Sequence, residues 1–278
     1  MKDIIGLGPY IGSFEEEIYT FQPYMRWLYY NIPNNKKVYL STHLNRSFLY
    51  NDFIKKENII PVYHHLTRDE LNQVGYIHKT VIQKDYNILV KKFKKEISKR
   101  ENTSTRNIDI FGVDYLKSKP FYPIDKKFYK EYNVDDVQID RPVNIVFIPD
   151  FNEKIEKIKF IYNYLNDNYG CTVIGDMKTH LIEKNVILEN IDYTENGMKY
   201  IVKYITMAKA VICPISHWCI IANLQKKNLF CWGDHPGQFR AGGFYNFNNN
   251  KCVSIFPCDL SNFIKILDGF LKNIQGIV

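Results

Sequence analysis

The sequence lacks the signals that identify many enzymes at sight. It has no P-loop, no G-x-S-x-G turn and no G-x-G-x-x-G standing between a strand and a helix. Those absences remove the usual sequence warrants for nucleoside triphosphate hydrolysis, esterase chemistry and dinucleotide binding. Its six cysteines, at 171, 213, 219, 231, 252 and 258, form no C-x-x-C. Most lie in apolar, strand-like contexts, so they read as reduced core thiols. No zinc pattern is present, and the pair His64-His65 has no further ligands at fitting spacing. No metal is therefore expected. No apolar run reaches the roughly 18 residues of a membrane span, and Met1-Lys2-Asp3 leads directly into a short strand. The expectation is a chain with no membrane span and no signal peptide, located in the cytoplasm (a host cytoplasm if viral).

A large charge excess is also missing. The net charge is +7, which permits a polyanionic partner but falls short of a dedicated nucleic-acid binder. The charge is evenly spread, with 22 Lys+Arg and 18 Asp+Glu in residues 1–140 and 15 and 12 beyond, so no concentrated patch stands out. Asn, Ile, Lys and Tyr are over-used. An AT-rich coding sequence gives this bias, so the 15% aromatic content is not in itself a functional signal.

What is present is a repeated strand–turn–helix pattern. The spacing predicts strands at 3–7, 38–40 and 59–62, with helices at 14–31 and 48–53 between them. A long helix follows over 80–100, with Ile82, Tyr86, Leu89, Val90, Phe93 and Ile97 on one face and lysines on the others. Residues 101–141 read as irregular. A second α/β pattern opens at Arg141-Pro142: strands at 144–149, 171–175, 186–189, 210–214, 228–232 and 252–255, and helices at 153–168, 198–208, 217–225 and 259–274. The fold class is α/β, with two Rossmann-like domains facing a central ligand cleft.

Two turns attract attention. Cys213-Pro214-Ile215-Ser216-His217-Trp218-Cys219 reads as a buried strand, a tight turn and a helix start, which exposes backbone N–H groups where a phosphate can sit. Ile4-Ile5-Gly6-Leu7-Gly8 runs through Gly12-Ser13 into Glu15-Glu16-Glu17 and has the same form. Asp234–Gly243 is a polar, Gly-rich loop after a buried strand, so His235, Gln238 and Arg240 are candidates for reaching a ligand at the strand ends. Arg46, after the second strand, is a candidate for an anionic group. Lys178 follows another strand end and is a weaker phosphate candidate, as Glu189 and Asp192 are for a ribose or base. The plain alternatives are a capping Ser216, first-turn acids that offset a helix dipole, and surface charges.

Four segments carry a resemblance: Pro9–Ile18 continuing to Gln22-Pro23-Tyr24, Leu49–Phe53, Ala210–Ile220, and Phe230-Cys231-Trp232-Gly233. With these the chain resembles the GT-B glycosyltransferases, especially the family 9 heptosyltransferase-like branch and related phage and environmental sequences. In that pattern an acidic residue six positions before a Pro is the general base, and counting back from Pro23 gives Glu17. Ser13 stands where the phage-like motif has its first acidic residue, Glu15 where it has a glycine, and Cys219 where the family has a histidine.

The resemblance implies an inverting, metal-independent transferase with no cofactor beyond a nucleotide-sugar co-substrate. Residues 1–141 would bind the acceptor with Gly12, Ser13 and Arg46. Residues 142–258 would bind the donor with Ser216, His217, His235, Gln238, Arg240 and Lys178. Residues 259–278 would form a helix that packs back across the interface. The acceptor stays open between a saccharide or lipid-linked sugar and a modified base in phage DNA. The Lys-rich helix is the feature that favours DNA. A catalytically silent nucleotide-binding module is the alternative from another class.

Overall fold

The structure is a computed structural model, and it describes residues 2–10, 17–61, 79–112, 126–140, 142–149, 154–173, 195–233, 252–255 and 259–277. The chain divides into two compact units, Met1–Asn133 and Val134–Val278.

The first unit is built on three parallel strands in the order β2-β1-β3, with β1 at Ile4–Leu7, β2 at Lys37–Leu40 and β3 at Ile108–Phe111. β3 falls in the stretch expected to be irregular. Four residues with an aspartate among them are too short for a clear periodic signal. Ile59 makes only an isolated bridge to Leu40, in place of the expected third strand. Helix α1, Gln22–Asn31, is preceded by a π-helical turn, Glu17–Phe21. Pro23 lies in its first turn, directly after the π-helical turn. Helix α2, Lys79–Arg100, lays Phe93 and Ile97 on Tyr39, Ile60 and Ile108.

The chain runs from the central strand β1 to one side and then crosses to the other. Strand order therefore reverses at the carboxyl end of β1, the place where open parallel sheets form a crevice. Hydrogen bonds stitch that end together: Gly8 N–H to Phe111 O (2.6 Å), Ser41 N–H to Leu7 O (2.8 Å) and Tyr10 N–H to Ser41 O (3.0 Å). Gly8 has φ +97°, and a Cβ there would strike the Ser41 carbonyl. Only glycine fits this turn.

The second unit holds five parallel strands in the order β5-β4-β6-β7-β8: β4 Ile145–Phe147, β5 Cys171–Val173, β6 Ala210–Pro214, β7 Asn228–Trp232 and β8 Cys252–Ile255. β4, β6 and β7 are buried almost throughout, as expected of parallel strands covered on both faces. The helices are α3 Ile155–Tyr169, α4 Glu195–Met207, α5 His217–Leu224 and α6 Leu260–Lys272. Here order reverses between β4 and β6.

Helix α6, the segment expected to pack back across an interface, puts Phe263, Leu267, Phe270 and Leu271 into the second unit's core with Ile145, Phe147, Ile212, Phe230 and Trp232. Asp259 caps it, accepting from Asn262 N–H at 2.9 Å. The expected strand at 186–189 lies outside the described residues.

Candidate active site

Glu17 lies just beyond the carboxyl end of β1 and is fully buried. Its Oε1 accepts from the Thr42 hydroxyl in a short hydrogen bond and from the Tyr50 hydroxyl at 2.6 Å. Its Oε2 accepts from Arg46 Nη1 at 2.8 Å. Thr42 follows β2, and Arg46 and Tyr50 belong to a 3-10 helix, Leu44–Tyr50. A buried carboxylate without such partners would cost several kcal/mol; here one cation and two hydroxyls supply them. Burial, and then the adjacent Glu17 charge, push the Tyr50 phenol well above its ordinary range, so Tyr50 remains a donor.

A second layer fixes this cradle. Gln22 Nε2 donates to Leu49 O at 2.8 Å, and Gln22 Oε1 accepts from Arg26 Nη1 at 3.2 Å. The fully buried Arg26 grips Asp52 through two bonds of 2.9 and 3.0 Å and also donates to the Phe128 carbonyl. Its guanidinium sits 5.0 Å from the Phe53 ring centroid. Through these contacts α1 holds the carboxyl end of the segment that presents Thr42, Arg46 and Tyr50.

The structure thus brings together Glu17 and Arg46, two residues that the sequence singled out separately. Thr42 was not singled out, and Tyr50 stood only within the Leu49–Phe53 segment, with no role of its own. The signal available was positional: the polar run Ser41-Thr42-His43 directly follows a buried strand, at the sheet end where ligands gather. The other acceptor candidates, Gly12 and Ser13, lie outside the described residues, as do Glu15 and Glu16.

In the second unit Ser216 ends the β6 turn and precedes α5. The turn is fastened by Ile215 N–H to Trp232 O at 2.7 Å. Ser216 is extended (φ −163°, ψ 178°) and makes no side-chain capping bond. Its Oγ is buried and has no hydrogen-bond partner among the described residues. The plain expectation of a capping serine therefore does not hold here. Ser216 carries an unused hydroxyl at the amino end of a helix whose dipole favours an anion.

His217 begins α5, with its ring 4.4 Å from that of Trp218. Cys213 and Cys219 flank the turn with their sulfurs 3.5 Å apart, and burial pushes the Cys219 thiol well up, as befits a core thiol. Lys157 on α3, not singled out in the sequence, stands 5.6 Å from the Trp232 ring centroid. The donor candidates Lys178, His235, Gln238 and Arg240 lie outside the described residues. Among the described residues no group of His, Cys, Asp and Glu is placed to hold a metal ion, and no helix is long and apolar enough to cross a membrane.

Over nearly its whole length the backbone is similar to E. coli heptosyltransferase WaaC with ADP, with a TM-score of 0.52 at 9% identity over 96% of this chain and 99% of that one. The chain has the GT-B fold. WaaC with ADP-2-deoxy-2-fluoro heptose matches with a TM-score of 0.52 at 11% identity over 96% and 99% of the two chains. A glycosyl transferase family 9 protein from Veillonella parvula gives a TM-score of 0.49 at 10% identity over 99% of this chain and 90% of that one. No protein-family model and no curated protein sequence matches. At such identities the likeness is one of fold alone.

Proposed function

We propose that this chain is a glycosyltransferase that moves a sugar from a nucleotide-sugar donor to an acceptor hydroxyl. The observation that carries this reading is the Ser216 turn. A buried hydroxyl with no hydrogen-bond partner among the described residues lies at a helix amino end, at the strand-order reversal of the second sheet, in a GT-B fold. In this reading the second unit holds the donor and the first unit the acceptor. The acceptor oxygen attacks the anomeric carbon opposite the leaving diphosphate, so configuration inverts. Glu17 takes the hydroxyl proton. The departing diphosphate gains negative charge, which the α5 N–H groups and Ser216 Oγ stabilise, a task met by fixed dipoles in this scheme and not by a metal ion.

The test is a thermal-shift screen of the full chain with ADP, UDP, GDP and CDP, ADP first because WaaC was solved with it. At least one diphosphate should raise the melting temperature, since a ligand that binds only the native state stabilises it. If none of the four does, the proposal fails. Diphosphate release from the matching nucleotide sugar should then be lost in Glu17→Gln.

One observation favours a DNA acceptor over a saccharide. Lys91, Lys92, Lys95 and Lys99 are all exposed along one side of α2. That reading requires affinity for DNA to fall steeply between about 50 and about 200 mM salt. A flat response would exclude it.

A further inference from the structure

We infer that Thr42 and Tyr50 are positioning residues that decide which oxygen of Glu17 takes the acceptor proton: they occupy Oε1 and leave Oε2, shared with Arg46, as the reacting atom. The inference rests on the glycosyl transfer proposed above.

A carboxylate offers about two lone-pair sites on each oxygen. Oε1 receives two hydroxyl donors, from Thr42 and Tyr50, and is filled. Among the described residues Oε2 receives Arg46 Nη1 alone, one donor against the two on Oε1. Exposure points the same way. Thr42 and Tyr50 are fully buried, whereas the Arg46 side chain is 12% exposed. The only one of these three partners that reaches the surface thus sits on the Oε2 side, and an acceptor hydroxyl approaches along Arg46.

None of the three partners competes for the proton. Arg46 is already charged and has no acceptor site, and Tyr50 is held as a donor by its buried surroundings. In the transfer step the acceptor O–H bond breaks and its proton goes to Oε2. The acceptor oxygen bonds to the anomeric carbon, and the bond from that carbon to the diphosphate breaks with its electron pair staying on the diphosphate. Glu17, now neutral beside the Arg46 cation, returns its proton to solvent. Thr42 and Tyr50 act through Glu17 and touch no substrate.

The experiment compares Thr42→Val, Thr42→Ser, Tyr50→Phe and Glu17→Gln in the full chain. It measures diphosphate release from ADP-heptose, UDP-glucose and GDP-mannose, with melting temperature as the folding control. Each hydroxyl bonds a charged group, so Thr42→Val and Tyr50→Phe should each lower kcat by roughly ten- to a hundredfold. Donor KM should stay within about twofold, the signature of an interaction used in the transition state. Thr42→Ser restores the hydroxyl and should recover kcat to within about threefold of wild type.

If Thr42→Val and Tyr50→Phe are folded and turn over at the wild-type rate while Glu17→Gln is inactive, the positioning role is wrong and the base assignment stands. If Glu17→Gln keeps full activity, the base assignment fails, and the positioning role fails with it. If wild type releases diphosphate from none of the three donors, both are overturned. Should Tyr50→Phe not fold, the contrast between valine and serine at position 42 carries the test alone.

Discussion

Replacing Ser216 with alanine should move stability and ligand binding in opposite directions. A serine that caps a helix contributes about 1 kcal/mol, and its loss to alanine lowers stability by that much. Ser216 makes no such bond, and its Oγ is buried without a partner among the described residues. A buried polar atom left unsatisfied costs about 1–3 kcal/mol. Removing it should therefore stabilise the free protein, by about 1 kcal/mol at the lower end of that range. For a chain of this size that corresponds to a rise in melting temperature of roughly 2–4 °C.

The diphosphate complex should respond in the other sense. A hydroxyl that donates to a phosphate oxygen makes a charge-assisted bond, and its deletion weakens binding about tenfold or more. Differential scanning calorimetry of the free protein and isothermal titration with the diphosphate selected by the screen measure the two halves. A fall of 2 °C or more in the free variant would show that the hydroxyl is engaged in solution. Unchanged affinity would remove Ser216 from the donor site even if the free variant were stabilised.

Three other sites give predictions of their own. Asp52→Asn leaves the fully buried Arg26 guanidinium without its carboxylate; it should cost about 2–4 kcal/mol in urea unfolding of the full chain, somewhat below a fully buried pair because Asp52 is partly exposed. Gly8→Ala places a Cβ at φ +97° against the Ser41 carbonyl; it should destabilise by about 1–3 kcal/mol and lower transfer activity, because Ser41 adjoins Thr42. The Asp268 carboxyl is held down at about 2 by Lys272, Tyr164 and Tyr169, in that order. Because its folded value is depressed, its contribution is present above the unfolded value of about 3.9 and is lost as pH falls toward about 2. The melting-temperature gap between wild type and Asp268→Asn should therefore be constant near neutrality and close in acid.

The parallel α/β character was legible because buried strands such as Ala210–Pro214 and Asn228–Trp232 are near-continuous apolar runs, and helices such as α3 and α6 keep one apolar face. β3 was not legible, since Ile108–Phe111 is four residues with an aspartate among them, and its placement is decided by pairing with β1 across a hundred residues of chain. The same limit applied to the site. Glu17 was singled out through the family resemblance, whose pattern counts back from Pro23 over a few residues of chain. Thr42 and Tyr50 reach Glu17 over separations of 25 and 33 residues, and no local pattern encodes that convergence. Arg46 read as a surface charge or an acceptor contact, because nothing in its neighbourhood reveals that its partner is a buried carboxylate.

The two units place their polar groups at corresponding positions and leave them in different states, and this difference constrains how a reaction would run. Both sites lie at the carboxyl end of a parallel sheet where strand order reverses. In the first unit the Glu17 carboxylate is engaged: three donors meet its two oxygens, and a second layer of Gln22, Arg26 and Asp52 supports the segment that carries them. Such a network is rigid, so it can hold a base in one orientation before any acceptor arrives, and little reorganisation remains for the moment of proton transfer. In the second unit the buried Ser216 hydroxyl has no partner among the described residues. An unsatisfied buried donor raises the energy of the free state, and an anion that satisfies it recovers that cost on binding. Diphosphate affinity should therefore depend far more on Ser216 than on Glu17, while kcat should depend on Glu17 and its cradle. A Glu17→Gln variant that loses diphosphate binding together with turnover would contradict this division of labour.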